Sequence, residues 1–150
     1  MEQLNTKYFG EISYGTEDCI SFPDGLFGFE QEKKFLLLPF TEGEDSLFCL
    51  QSISTEDLAF VVINPFAFVS DYNPMPSSED IKELQANNDG ELEFFVICVM
   101  RDTIETSSAN LKCPILINPQ KKLAKQVILD DPQYTFRHFF QSFSINNKEG

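Results

Sequence analysis

The sequence predicts an all-β fold: a small barrel or sandwich of mainly antiparallel strands, with one or two short helices. Three observations carry this. Apolar runs rich in Val, Ile, Leu and Phe recur at the roughly eight-to-twelve-residue spacing of short strands. Gly, Pro, Asn and Asp clusters punctuate them. Only one segment has a good helix signature, so the strand–helix alternation that a parallel doubly wound sheet requires is missing. At 150 residues, with no internal repeat and no linker, the chain fits one domain spanning 1–150, long enough to bury about 68–70% of its unfolded surface.

In order along the chain, Thr6 to Tyr14 and Cys19 to Phe22 read as short strands separated by a hairpin-like break at Gly15–Asp18. Phe22-Pro23-Asp24-Gly25-Leu26-Phe27-Gly28-Phe29 is a loop: Pro-Asp-Gly sets one turn, Gly28 permits a second, and four large apolar side chains can plug it into a core. Lys34 to Phe40 is a strand and Thr41 to Ser46 an acidic turn. Leu47 to Ser52 and Ala59 to Asn64 are strands, with room for one helical turn at Ser54–Asp57. Phe60 to Ile63 is apolar at every position, as a strand covered on both faces should be. Pro65 ends it.

After an irregular Tyr72–Pro76 connection, Ser77 opens the one good helix, reaching about Ala86. Ser77 and Asp80 form a capping pair, and acids in the first turn suit the helix dipole. Asn87–Gly90 stops it. Leu92 to Arg101 is the longest apolar run and reads as a central strand, followed by a polar loop from Asp102 to Asn110.

The most informative stretch comes next, Ala109 to Leu129. It reads as strands Ile115–Ile117 and Gln126–Leu129 around a turn opened by Asn118-Pro119, and it holds Lys112, Lys121, Lys122 and Lys125, four of the eleven basic residues. Pro114 sits at the mouth of the first strand, where its missing N–H costs the ladder little. Asp130-Asp131-Pro132 breaks the chain. Tyr134 to Phe143 reads as a last strand, with an amphipathic helix as the alternative, and the tail from about Ser144 should fray.

The net charge is −13, from twenty-four acids and eleven bases. Such a surface repels phosphate backbones, which argues against direct nucleic-acid binding. Between Glu42 and Glu93 stand twelve acids and one base, Lys82, a balance of −11. Two readings stand: a set of solvated acidic loops, or one acidic face that steers a basic partner. The candidates for that face are Glu42, Glu44, Asp45, Asp71, Asp89 and Glu91.

Cys19, Cys49, Cys98 and Cys113 are far apart, each beside apolar residues and without a C-x-x-C pair, so reduced, buried thiols are expected. The first residues lack a basic segment followed by an apolar run, and no apolar run is long enough for a bilayer, so neither a signal peptide nor a membrane association is expected. A nucleophilic Ser–His or Cys–His pair needs a histidine, and His138 stands alone in an aromatic run. Scattered single thiols do not make a metal site. The acids fall in turns, without the tryptophans that usually line a glycosidase cleft. No catalytic constellation emerges, and no cofactor or metal is expected.

Several segments together resemble a known family. Asp24-Gly25-Leu26-Phe27-Gly28-Phe29-Glu30, Leu50-Gln51-Ser52, Leu58-Ala59-Phe60, Asn64-Pro65-Phe66, Ala109 to Asn118 and Ala124 to Leu129 are similar, in order and spacing, to the FliW flagellar assembly factors. The likeness runs from about Thr6 to Tyr134. Phe27 departs from it, since the family commonly has proline there, and the Phe-rich tail carries none of it. The resemblance implies a small, non-enzymatic, cytoplasmic β-barrel protein, monomeric when free. It also implies two competing partners: the RNA-binding translational regulator CsrA, and flagellin through its helical terminal region. Free flagellin would capture the factor and release CsrA to repress flagellin translation. The motif residues Gly25, Gly28, Phe29, Gln51, Ser52, Pro65, Asn110, Leu111, Pro114, Asn118 and Gln126 sit at turns and strand edges and read as structural. Two alternatives stay open: a chaperone that only shields flagellin, and a barrel-type ligand carrier or enzyme with a cavity among the Phe side chains.

Overall fold

Strands that are apolar on both faces must be covered on both, and here a closed barrel meets that demand. The computed structural model describes residues 1–43 and 46–142. Glu44, Asp45, Phe143 and the tail expected to fray lie outside the described residues. The strands are β1 (Glu2–Thr6), β2 (Gly10–Tyr14), β3 (Ile20–Ser21), β4 (Lys34–Pro39), β5 (Leu47–Ser52), β6 (Ala59–Ile63), β7 (Glu93–Val99), β8 (Ser108–Ala109), β9 (Ile115–Asn118), β10 (Leu123–Gln126) and β11 (His138–Phe139). Among the described residues one α-helix, α1 (Ser78–Glu83), joins them.

Seven strands close the barrel in the order β7-β6-β5-β4-β3-β10-β9 and back to β7. All pairings are antiparallel except β3 with β10. β7 is central, as its apolar length predicts: its first half pairs β9, and Cys98 and Val99 pair β8, which carries β11 outside the barrel.

Side chains alternate between two cores, following the two-residue period of a strand. The inward set includes Ile20, Phe22, Phe35, Leu50, Val62, Phe95, Ile115 and Ile117, with Phe48 and Phe60 packed against it. Phenylalanines fill the interior edge to face, Phe22 on Phe35 at 5.1 Å and Phe48 on Phe95 at 5.3 Å. The outward set includes Ile63, Val96, Cys98 and Leu116, and it packs with Tyr72, Leu84, Val127, Leu129 and Tyr134 from the connections. α1 is pinned on this side by Lys125, whose Nζ lies 2.8 Å from Asp80 and 2.6 Å from Glu83. Ser77 and Asp80 form the expected capping box, and Gln85 ends the helix with a positive φ of 58°.

Four boundaries differ from the sequence expectation. The N-terminal hairpin turns at Lys7–Phe9, not at Gly15–Asp18, because the Thr6 hydroxyl closes the turn, accepting from Phe9 N–H and donating to the Gly10 carbonyl. This hairpin stands apart from the barrel sheet and lies over β4 and β5: Lys7 N–H donates to Gln51, and Tyr8 and Phe9 stack on Phe40. Gly15–Asp18 is instead a 3-10 turn into β3. Second, β10 begins three residues earlier than expected, because Lys122 takes a positive φ of 53° and tightens the turn after Asn118. Val127 and Leu129 leave the ladder but still donate to the Pro114 and Lys112 carbonyls. Third, the C-terminal strand shrinks to His138–Phe139, since its partner β8 is only two residues long and itself lies within the expected polar loop. Fourth, Ser54–Asp57 forms a turn without a helix, closed by Leu58 N–H on the Thr55 carbonyl.

Candidate interaction surface

The motif residues are pins. Gln51 is fully buried; its carbonyl oxygen accepts from Lys7 N–H at 2.9 Å and its amide donates to the Ser52 and Glu56 carbonyls. The Ser52 hydroxyl donates to Glu32 and accepts from Thr55 N–H. That donation, with those of Thr55 and Ser54, holds the Glu32 carboxyl below its usual range despite burial. Asn110 caps the bend before β9 through the N–H groups of Lys112 and Cys113. Asn118 ties α1 to the barrel by donating to the Leu84 carbonyl at 2.8 Å, while its oxygen accepts from Gln120 and Lys121. Gln126 accepts from Phe27 N–H at 2.9 Å and donates to the Cys113 carbonyl at 3.1 Å, fixing the plug loop. Gly25 and Gly28 hold φ of +67° and +87° in that loop, and a Cβ on Gly25 would meet the Glu30 backbone at 2.6 Å. Phe29 closes the bend against Leu26 and stacks on Phe60. Pro65 and Leu111 are buried, and Pro114 is buried at the entry to β9. Each polar member satisfies backbone groups that burial would otherwise leave unpaired.

The acidic candidates divide. Pro39 pairs Phe48, Leu47 pairs Ile63, and Ile63 pairs Val96, so the β4–β5 turn, the exit of β6 and the entry to β7 share one end of the barrel. Glu42 lies on that turn, and Asp89 and Glu91 on the 3-10 turn leading to β7, all exposed. Bonds from the Asn87 backbone and side chain lower the Glu91 pKa. Asp71 instead sits exposed on the outer wall beside buried Tyr72, which bonds the Leu111 carbonyl. The same end also carries Lys121 and Lys122 on the β9–β10 turn, where Lys122 shares a hollow with Asp18 and Glu93.

This acid end opens on a second hollow of about 420 Å³ lined by Leu37, Phe48, Asn64, Phe66, Leu92, Glu93, Phe94 and Phe95. The sequence reading missed it. Its signals were an aromatic directly after the strand-ending Pro65, and a charge, Glu93, at the first inward position of a strand otherwise filled with apolar residues. At the opposite end, Phe27 is exposed on the plug loop, and the exposed Val99 and Phe139 flank the buried Ser108 across β7, β8 and β11.

The remaining reactive groups are packing groups. Burial pushes the Cys49 thiol up to about 11 and that of Cys98 up to about 12, while Cys19 is half-buried; all four cysteines are free. His138 accepts from Thr135 N–H and lies near the Tyr134 ring, and burial lowers its pKa. Among the described residues no three His, Cys, Asp or Glu side chains group as a metal site would need, and no helix is long and apolar enough to cross a membrane.

Comparison with known proteins bears directly on the barrel and its pins. A sequence model of the FliW protein matches residues 3–140. The flagellar assembly factor FliW of Caldanaerobacter subterraneus is 42% identical over 137 residues, 91% of this chain and 91% of that protein. The FliW of Bacillus subtilis is 39% identical over 136 residues, 90% of this chain and 94% of that one. That of Shouchella clausii is 38% identical over 135 residues, 90% and 92% respectively. A crystal structure of the flagellar assembly factor FliW superimposes with a TM-score of 0.87 at 33% identity, covering 96% of this chain and 100% of that chain.

Proposed function

This chain belongs to the FliW family of flagellar assembly factors, and we propose that it is a non-catalytic partner switch of the cytoplasm. It binds the translational regulator CsrA, relieves repression of flagellin synthesis, and is itself captured by flagellin. The observation that supports the CsrA arm is the acid end. Glu42, Asp89, Glu91 and Glu93 gather where the barrel opens, on a chain of net charge −13. An RNA-binding regulator needs a basic surface for phosphates. An acid end docked beside that surface speeds encounter and repels RNA, over a range of about 8 Å at physiological salt.

The alternative of a chaperone for flagellin alone draws on the other end, where Phe27, Phe29, Val99 and Phe139 are exposed and suit an apolar helix face. A ligand carrier has less support, since phenylalanines occupy the barrel interior. The test is a set of association rates for CsrA and flagellin with wild type and with a Glu42→Lys, Asp89→Lys, Glu91→Lys triple variant at two salt concentrations. The proposal expects a slower CsrA on-rate at low salt, a smaller deficit at high salt and little change for flagellin. Equal CsrA rates at low salt reduce these acids to solvated surface, and flagellin binding without CsrA binding leaves the chaperone reading.

A further inference from the structure

The acid end offers more than charge. Leu37 and Phe48 from β4 and β5, both half-buried, and Phe95 from β7 line the hollow from the inner barrel wall, and Leu92, Phe94 and Phe66 line it from outside. Phe66 is 44% exposed, yet its ring is held at 5.8 Å from both Tyr72 and Phe94. An aromatic fixed on one side and wet on the other is pre-ordered for contact, so covering it costs little side-chain entropy. Glu93 shares the lining, is exposed, and has no ion-pair partner among the described residues. At about 420 Å³ the hollow falls within the range of specific ligand clefts.

We infer that this cup is an anchor site for a large apolar side chain carried on a basic segment of the CsrA regulator, with Phe66 packing the anchor and Glu93 pairing the flanking cation. The inference rests on the CsrA arm of the function proposed above and assigns it a place. Charge complementarity selects the occupant. A second copy of this chain would bring Glu42, Asp89, Glu91 and Glu93, which outnumber Lys121 and Lys122 at this end, largely against themselves, and a nucleic acid would bring phosphates against them. A basic protein segment with an apolar anchor satisfies both the walls and the rim. Well-packed anchors of this kind dominate interface energies, and acids at the rim act on the encounter rate.

The test compares Phe66→Ala, Glu93→Lys and an exposed control outside the lining of the cup, Phe136→Ala, for binding to purified CsrA and to flagellin, with melting temperature measured alongside. Phe66→Ala is expected to weaken CsrA binding about 30-fold, mainly through faster dissociation. Glu93→Lys is expected to slow association, with a deficit that shrinks at high salt. Both should leave flagellin affinity within about threefold, and Phe136→Ala should change neither. If Phe66→Ala melts early, Glu93→Lys, a surface change, decides alone. CsrA affinity within threefold of wild type for the folded variants, or an equal loss toward flagellin, overturns the cup. Wild type that fails to bind CsrA overturns the function proposed above and the cup with it.

Discussion

Replacing Gln126 by alanine tests whether the motif amides are structural pins. Gln126 is 8% exposed, and its side chain accepts from Phe27 N–H at 2.9 Å and donates to the Cys113 carbonyl at 3.1 Å. Alanine satisfies neither group. Leaving the buried Cys113 carbonyl unpaired costs about 1–3 kcal/mol, and the lost bond to the part-buried Phe27 N–H adds about 1 kcal/mol, so the sum is about 2–4 kcal/mol. For a chain of this length that lowers Tm by roughly 4–16 °C. Gln126→Glu keeps an acceptor for Phe27 N–H but sets a buried carboxylate against the Cys113 carbonyl, so near neutral pH it should lose at least as much as alanine. Urea unfolding should show a lower midpoint with an unchanged slope, because the barrel still buries the same surface. A loss below about 0.5 kcal/mol for Gln126→Ala, typical of an ordinary surface substitution, would refute the reading of these bonds as pins.

Three further outcomes follow from the packing. Phe35, fully buried at the centre of the inner core, should cost about 3–5 kcal/mol on replacement by alanine, measured by the same unfolding. All four cysteines should titrate as free thiols on unfolding, and in the native protein Cys19 should react with a thiol reagent before Cys49 and Cys98, whose burial raises their pKa to about 11 and about 12. Burial lowers the His138 pKa, and its Nε2 must be unprotonated to accept from Thr135 N–H. The unfolded state therefore binds the proton first as pH falls through about 6.5. The stabilisation is full above that pH and is lost as pH falls toward the lowered value; His138→Phe should flatten the slope in this window, and an unchanged slope would count against it.

Much of the fold is legible in the sequence where local chemistry and tertiary packing agree. Phe60–Ile63 is apolar at each position because alternate side chains feed two cores. Ser77 and Asp80 mark the helix start because their bonds are local. The boundaries that moved depend on distant partners. Leu123–Gln126 becomes the strand because its register against β9 and the Lys122 turn decide the matter, while Val127 and Leu129, better strand formers, serve the outer core. Likewise, His138–Phe139 is short because β8 is short.

The candidate site was legible in part. The acidic run predicted an acid-rich surface, and strand register brings Glu42, Asp89 and Glu91 to one end. It leaves Asp71 on the outer wall, since Asp71 precedes the Tyr72 anchor of the outer core. The apolar cup was not legible, because Leu37, Phe48, Phe66 and Phe94 come from separate strands and connections and meet only when the barrel closes. In the same way, the motif amides identify the family while their partners, such as Phe27 for Gln126 at a separation of 99 residues, are set by the closed fold.

The most direct test of the proposed switch follows a fluorescent flagellin-leader RNA bound to CsrA. Adding this protein should release the RNA, and adding flagellin should then restore the RNA complex as flagellin captures the protein. RNA that stays bound after the first addition, or that stays free after the second, would contradict the switch.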